Sequence, residues 1–422
     1  MGSPEETEPS CSRRAVLRAA GAAGLATTAA TAAGAPAATV TPTVMTQNAY
    51  LGVDLTRLAG AESLSEGRAI LGDFLEGLEP ALYEARAEQF AAAVAAADPA
   101  VLALQEAVTV HRQQPGDFGS VLSKAASETV VDFYERIRTA LADRGLDYTV
   151  AAETVTNEIE LPADTDDGQV DVRLTDRDVL LVRDDVDTAG ATTGTYDATL
   201  TVPVPRSNFE LVVHRGYCTV EATVDGVAVT VANTHLESSS AQIRRQQAAE
   251  LLELLPSTGP VILGGDFNSA PGEAAYGLLT ERLTDAYSEV RPDADGATCC
   301  QADDLRNDEP QLTRRIDGLL YRGAVTPTAV ERVGHRTDDR VAVEVGGETV
   351  RVWPSDHAGV VGTFEVTGPR ATPTTAATPS TGTPSTASAD STVTSGAGPG
   401  LGVVTGVVGV LLGAAARRRR GE

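Results

Sequence analysis

Five short polar segments carry the side chains that could do chemistry in this chain: Thr46-Gln47-Asn48, Leu104-Gln105-Glu106, Asn233-Thr234-His235-Leu236, Gly265-Asp266-Phe267-Asn268 and Ser355-Asp356-His357. Each presents Asn, Asp, Glu or His, the residue types that hold a hard divalent cation and move protons. Each also sits at the end of an apolar run that reads as a strand. Repeated placement at strand ends predicts that one edge of a β-structure gathers them into a single pocket. The chemistry expected of such a pocket is metal-dependent hydrolysis of a phosphoester.

The elements that must position these residues follow from the apolar periodicity. Residues 43–48 form a short strand, residues 61–98 have helical spacing, and Asp98-Pro99 stops them. Residues 101–104 are a buried strand delivering Glu106, and residues 121–144 read as an amphipathic helix. Strands are expected at 148–155 and 179–182. Between them, 157–178 reads as a polar surface loop whose Asp164, Asp166, Asp167 and Asp171 are solvated. Residues 210–223 and 227–232 alternate around Asp225-Gly226 as a β-hairpin. A helix over 240–255, a buried strand over 261–263 and a strand over 315–321 carrying Asp317 come next. A second hairpin turns at Gly346-Gly347, and a last strand covers 359–366. Hairpins are plentiful and no regular βαβ rhythm appears, so the expectation is a mixed α/β sandwich with sheets inside and helices outside.

Composition narrows the setting. The chain has 422 residues, 42% hydrophobic and 4% aromatic, so aliphatic side chains must fill the core. Its net charge is −26, and Lys124 is the sole lysine. Such a surface stays soluble at molar salt, where charges are screened within ~3 Å, and it reads as halophilic. It argues against broad electrostatic capture of nucleic acid, without excluding a nuclease. Cys11 falls in an expected leader, which leaves Cys218 and the vicinal Cys299-Cys300. With no CxxC pair, zinc is unsupported. The vicinal pair is expected to be buried or singly bridged, with metal binding and a bridge to Cys218 as the other readings.

Both ends read as trafficking signals. Residues 1–38 place Arg13-Arg14 before an Ala/Gly/Thr-rich stretch and resemble a twin-arginine export signal. Residues 39–367 are the expected catalytic domain. Residues 368–398 form a Thr/Ser/Pro-rich stalk that cannot build a core. Residues 399–422 are an apolar segment followed by Arg417 to Arg420, expected as an anchor or a sorting signal. Sixteen apolar residues span about 24 Å as a helix, a little short of a bilayer core. The expected location is therefore extracellular and tethered to the cell surface.

In their order along the chain, QN, QE, NTHL, GDFN, RID and SDH resemble the endonuclease/exonuclease/phosphatase superfamily, which includes deoxyribonuclease I, abasic-site endonucleases, neutral sphingomyelinases and inositol polyphosphate phosphatases. The resemblance spans about residues 43–366. It implies a four-layer α/β sandwich of two packed mixed sheets flanked by helices, a Mg²⁺ or Mn²⁺ cofactor, and cleavage by an activated water. It also assigns roles. Glu106 matches the principal metal-binding glutamate, Asn48 the asparagine beside it, and Asp356 an acidic metal or neighbouring position. His235 matches a phosphate-contacting histidine. Asp266 would orient or deprotonate the water, and Asn268, two residues on along a strand, would donate to a phosphoryl oxygen. Gly264 and Gly265 would let the backbone come close to the substrate. His357 matches the catalytic histidine and Asp317 its carboxylate partner, which fixes the ring tautomer.

The resulting expectation is a phosphodiesterase acting on nucleic acid, with no obligate protein partner evident. A phospholipase- or sphingomyelinase-like enzyme is the enzymatic alternative; its mark would be an exposed apolar hairpin beside the pocket, and no aromatic-rich loop of that kind is visible. A non-catalytic adhesion module on a stalk is the third reading. Substrate choice is expected to lie in loops 50–66, 157–178, 205–217 and 286–314, where Arg206 and Arg215 could contact a phosphate but read first as solvated.

Overall fold

The structure is a computed structural model that describes residues 37–52, 60–203 and 210–370. Residues 1–36 of the expected leader, 371–398 of the expected stalk and the whole tail lie outside the described residues, as does Arg206. Along the chain run strands β1 (Ala37–Val40), β2 (Thr43–Asn48), β3 (Val101–Gln105), β4 (Thr109–Gln113), β5 (Glu128–Asp132), β6 (Tyr148–Thr165), β7 (Gly168–Arg183), β8 (Asp187–Thr195), β9 (Leu200–Pro203) and β10 (Glu210–Val213). Then come β11 (Gly216–Val224), β12 (Val227–His235), β13 (Val261–Asp266), β14 (Thr284–Asp285), β15 (Asp317–Arg322), β16 (Val325–Val333), β17 (Val341–Val345), β18 (Glu348–Val352) and β19 (Gly359–Pro369). The helices are α1 (Leu64–Glu76), α2 (Pro80–Ala97), α3 (Phe133–Asp143), α4 (Ala241–Leu254), α5 (Ala274–Thr280) and α6 (Ala286–Val290).

Two mixed sheets hold the molecule together. The nine-stranded sheet runs β1-β19-β2-β3-β7-β4-β5, with β16 joined to β19 and β6 to β7; the six-stranded sheet runs β14-β15-β13-β12-β11-β8. Each is built on one parallel pair, β2 with β3 and β12 with β13. A parallel pair needs a long crossover, and here helices supply it: α1 and α2 between β2 and β3, α4 between β12 and β13. Val44, Val101, Leu180 and Phe364 of the large sheet meet Val229, Val231, Ile262 and Leu319 of the small one in a dry layer between them. On the outer faces, α1, α2 and α3 cover the large sheet and α4 and α5 the small one. The result is the four-layer α/β sandwich expected from the sequence.

One polar link crosses the apolar layer. Gln105 Nε2 donates to Asn233 Oδ1 at 2.6 Å, while Asn233 Nδ2 donates to the carbonyls of Leu104 and Val179 at 2.8 and 3.0 Å. A buried Asn233 amide satisfied on every side in this way fixes the register of the two sheets. Asn233 therefore works between the sheets rather than in the pocket.

Several expected elements differ. Residues 157–178 are not a surface loop: they belong to the long β6–β7 hairpin, turning at Asp166-Asp167, with Asp171, Asp176 and Asp178 buried. Asp171 Oδ2 accepts from the backbone N–H groups of Asp117 and Phe118 at 2.6 and 2.8 Å, so its acidity serves a loop crossing rather than solvent. The helix expected over 121–144 is confined to α3, because Thr129 and Val131 pair with the edge of β4 instead. Residues 61–98 are two helices, broken before Pro80, whose ring starts α2. The chain also breaks at His214-Arg215, so β10 leaves the expected hairpin and pairs with β9. At the far edge β1 pairs with the end of β19, Ala37 opposite Pro369, so strand structure extends into both the expected leader and the expected stalk.

Candidate functional site

The two parallel pairs end at the same pole, where strand C-termini leave backbone groups and side chains open to a ligand. Asn48 closes β2 and Glu106 follows β3; His235 and Asp266 close β12 and β13, register partners of each other. Asp317 opens β15 opposite Asp266, and His357 lies just before β19. Asn48, Glu106, His235, Asp266, Asp317 and His357 therefore converge at one pole, with Asp356 beside His357 and Asn268 just beyond Asp266.

On the large-sheet side, Asn48 Nδ2 donates to Glu106 Oε1 and to Asp266 Oδ2, each at 3.1 Å, bridging the two sheets. Its Oδ1 accepts from Tyr50 N at 2.9 Å, and Glu106 Oε2 from Leu51 N at 2.8 Å. Glu106 adopts the left-handed conformation (φ 53°) that turns its carboxylate back over the strand end. Asp356 is pushed up to about 7 by burial, with Glu106 and Asp317 adding to the rise against His357 and Arg86. Among the described residues no lysine or arginine forms an ion pair with Glu106 or Asp356. Oxygen donors with no lysine or arginine partner fit a hard divalent cation, with His357 Nε2 standing 3.8 Å from Asp356 Oδ1 beside them. Asp266, Asp317 and His357 also place ligand atoms within 4.8 Å of one another, but the His357 ring is already committed to Asp317.

His357 Nδ1 lies 2.8 Å from Asp317 Oδ2, both side chains buried. Burial alone would lower the histidine, yet Asp317, Asp356 and Asp266 together hold it well above its ordinary value. Asp317 itself is fixed by the Thr298 hydroxyl, which accepts from Asp317 N at 3.1 Å, and its Oδ1 has no partner. Ser355 and Gln47 secure the histidine's backbone. Ser355 Oγ accepts from His357 N at 3.0 Å and donates to Asn48 O at 2.8 Å, while Gln47 Nε2 donates to His357 O at 3.2 Å. Asp266 is raised to about 7, first by burial and then by Asp317.

On the small-sheet side, His235 is held far below its ordinary value by burial and by the charges of Arg215 and His357. Arg215 Nη1 lies 3.0 Å from His235 Nδ1, and His235 Nε2 faces Asp266 Oδ2 at 3.5 Å. The histidine is thus neutral, with a ring nitrogen placed to accept from the Arg215 guanidinium. Arg215, expected in solvent, has a side chain only 13% exposed and lies 3.7 Å from the buried Glu237. Its signal in the sequence was position: a lone arginine where a strand pattern breaks, opposite the NTHL segment.

Two expectations about the GDFN segment are corrected. β13 ends at Asp266, and Asn268 sits beyond it with φ 49°, so strand alternation does not set its direction. Its Nδ2 donates to Leu236 O at 2.8 Å, and its backbone N–H donates to Asp266 Oδ1 at 2.8 Å; Asn268 holds the turn that aims Asp266. The glycines do not serve substrate approach. A Cβ at Gly264 would press on Thr46 at 3.2 Å between the sheets, and one at Gly265 would collide with the Thr234 carbonyl. Of the cysteine readings the single bridge is the one found, without Cys218: Cys299 and Cys300 are joined to each other, and Cys218 is buried and free.

Sequence reasoning missed Arg86. Positions 83, 86, 87, 90, 91 and 94 form the buried stripe of α2, and a charged residue on such a stripe was the available signal.

The profile of the endonuclease/exonuclease/phosphatase family matches residues 45–357. No curated protein matches the chain. Among solved structures, an endonuclease/exonuclease/phosphatase family protein from Bacteroides thetaiotaomicron is 16% identical with a TM-score of 0.50, covering 78% of this chain and 97% of that one. A mannosyl-6-phosphatase from the same organism is 18% identical (TM-score 0.46, covering 76% of this chain and 99% of that one). Truncated TDP2 from Caenorhabditis elegans is also 18% identical (TM-score 0.43, covering 77% and 97%).

Proposed function

The chain belongs to the endonuclease/exonuclease/phosphatase family of divalent-metal-dependent phosphoesterases, and from that premise we propose that it cuts phosphodiesters, nucleic acid first among them, with an activated water. The observation that carries this is the Asp317–His357 pair, 2.8 Å apart, facing Asp266 across a pocket that also holds Asn48, Glu106 and Asp356. Asp266, aimed by Asn48 Nδ2 and the Asn268 backbone, accepts the proton of the attacking water. His357, kept charged by its three carboxylates, presents Nε2–H to the leaving oxygen while Asp317 holds Nδ1. Arg215 and the neutral His235 offer positive charge and an N–H to the non-bridging oxygens. Glu106, Asn48 and Asp356 would hold Mg²⁺ or Mn²⁺, which supplies charge to offset that building on the phosphoryl group.

A second reading has its own observation. Leu200, Val202, Leu211 and Val213 of the β9–β10 pair face Leu161 and Leu174 across an apolar cleft that ends at Arg215. This aliphatic hairpin beside the pocket favours a phosphodiester with an apolar arm, as in a phospholipid. The adhesion-module alternative is set aside by family membership. We further propose export through residues 1–38 and surface tethering through 368–422. Among the described residues no helix is long and apolar enough to cross a membrane.

The test is a substrate panel of plasmid DNA, RNA, bis-nitrophenyl phosphate and phosphatidylcholine or sphingomyelin vesicles, run in Mg²⁺ at molar salt. Cleavage of DNA supports the first reading, and cleavage confined to lipid replaces it with the second. Hydrolysis of phosphomonoesters alone overturns both.

A further inference from the structure

Cys299 and Cys300 lie against the catalytic histidine. The segment carrying them is an antiparallel neighbour of residues 356–358: Ala358 N donates to Thr298 O at 2.8 Å and Gln301 N to Asp356 O at 2.9 Å, with Cys299 bridged to His357. On its other side Cys299 N donates to Arg314 O at 2.9 Å and Arg314 N to Cys299 O at 3.0 Å. This backbone frame fixes the sulfurs, and the two Sγ atoms and a His357 ring nitrogen fall within 4.8 Å of one another. Cys299 is buried and Cys300 exposed. No step of the proposed hydrolysis uses either one.

We propose that Cys299, Cys300 and His357 form a second, thiol-gated metal site, which takes a thiophilic divalent cation such as Cd²⁺ or Zn²⁺ once the cysteine pair is reduced and thereby silences the hydrolase. While the sulfurs are bonded to each other they have no thiolate to offer. A phosphine reductant and one water convert the disulfide to two thiols and the phosphine to its oxide. The two thiol protons and the His357 Nε2 proton, three in all, then leave to solvent as the thiolates and the ring nitrogen coordinate. Soft thiolates select this class of cation over the Mg²⁺ class, which prefers oxygen. Once their bond is cut, the two sulfurs are free to separate to the roughly 3.3 to 3.8 Å that ligand atoms of a tetrahedral zinc-type site require, with the His357 nitrogen already within 4.8 Å of both. The third ligand is prepared as well. Asp317 occupies His357 Nδ1, which leaves Nε2 as the metal-facing nitrogen, the carboxylate–histidine–metal arrangement that strengthens such ligands. A cation on Nε2 removes the atom that handles the proton. The silencing rests on the reading of His357 given above; the binding does not.

The experiment uses the full chain in Mg²⁺, with and without phosphine reduction, titrated with Cd²⁺. Binding is read from the ultraviolet thiolate-to-cadmium band and activity from bis-nitrophenyl phosphate. The expected result is one Cd²⁺ per reduced chain, at least a tenfold loss of hydrolysis, and no band in the unreduced protein. Cys300→Ser, an exposed position, should keep full Mg²⁺ activity, lose the band and resist Cd²⁺. Absence of the band from reduced protein, or equal inhibition of Cys300→Ser, overturns the site. A band with undiminished hydrolysis overturns the inclusion of His357 and the silencing. Failure of the hydrolase reading itself shows separately, as no phosphodiester cleavage by unreduced protein.

Discussion

Two buried charged regions stand close together and are built on opposite terms. Arg86 is 2% exposed and is answered entirely from within: Nε donates to Pro354 O at 2.7 Å, Nη2 to Tyr50 O at 2.8 Å and to Ala49 O, and the guanidinium lies 4.4 Å from the centre of the Phe133 ring. The floor of the candidate site is answered only in part: Asp317 Oδ1 has no partner, and Asp266 and Asp356 are raised to about 7; on β7 both carboxylate oxygens of Asp178 also lack a partner. A buried charge costs several kcal/mol unless compensated, so a fully compensated one is architecture and an uncompensated group awaits something from outside. The two regions are also joined, because the carbonyls on Arg86 belong to the segments that carry Asn48 and Asp356.

Four experiments can break or sharpen that contrast. Exhaustive chelation should abolish hydrolysis and Mg²⁺ or Mn²⁺ should restore it; full activity in chelator removes the cation from the floor. His357→Ala should lower turnover by roughly two to four orders of magnitude. Asp317→Asn should also be impaired, and the double mutant scarcely worse than His357→Ala, since the pair acts as a unit. Multiplying losses would show two independent residues. Arg86→Met should cost about 3 kcal/mol in urea unfolding, because it leaves buried carbonyls without a donor. A loss below 1 kcal/mol would mean that water replaces the guanidinium and the hub is not closed.

The smallest effect belongs to Asp178. Burial, then Asp176, hold its folded pKa well above the usual value, so the folded state keeps a proton that the unfolded chain releases near pH 4. The stability this proton confers is complete below that pH and is lost as pH rises toward the folded pKa. Asp178→Asn should therefore raise the melting temperature more at pH 9 than at pH 5. An equal shift at both would show that Asp178 is already ionised in the fold.

The site was more legible than the scaffold around it. Asn48, Glu106, His235 and Asp266 could be read because a buried strand ending in a polar residue is a local pattern, and four such ends at one pole need only two parallel pairs. The β6–β7 hairpin hid behind its acids. Asp171, Asp176 and Asp178 lower strand propensity locally, and the partners of the first two, Asp117 N and Phe118 N for Asp171 and Thr156 Oγ1 for Asp176, are ones that only the fold brings near. Arg215 and the glycines failed alike, since a solvated arginine and one beside His235 share a sequence context, and Gly265 is dictated by a neighbouring strand's carbonyl.

The pairing of β1 with the far end of β19 has a practical corollary. β19 starts two residues after His357 and finishes at Pro369, roughly 30 Å away along an extended strand, where Ala37 lies beside it. The polypeptide thus enters and leaves the described domain on the side remote from its mouth. Anything fused, grafted or immobilised through either end would hold the enzyme by its back, with the opening turned away from the support and free to meet a polymer as bulky as DNA or the face of a vesicle.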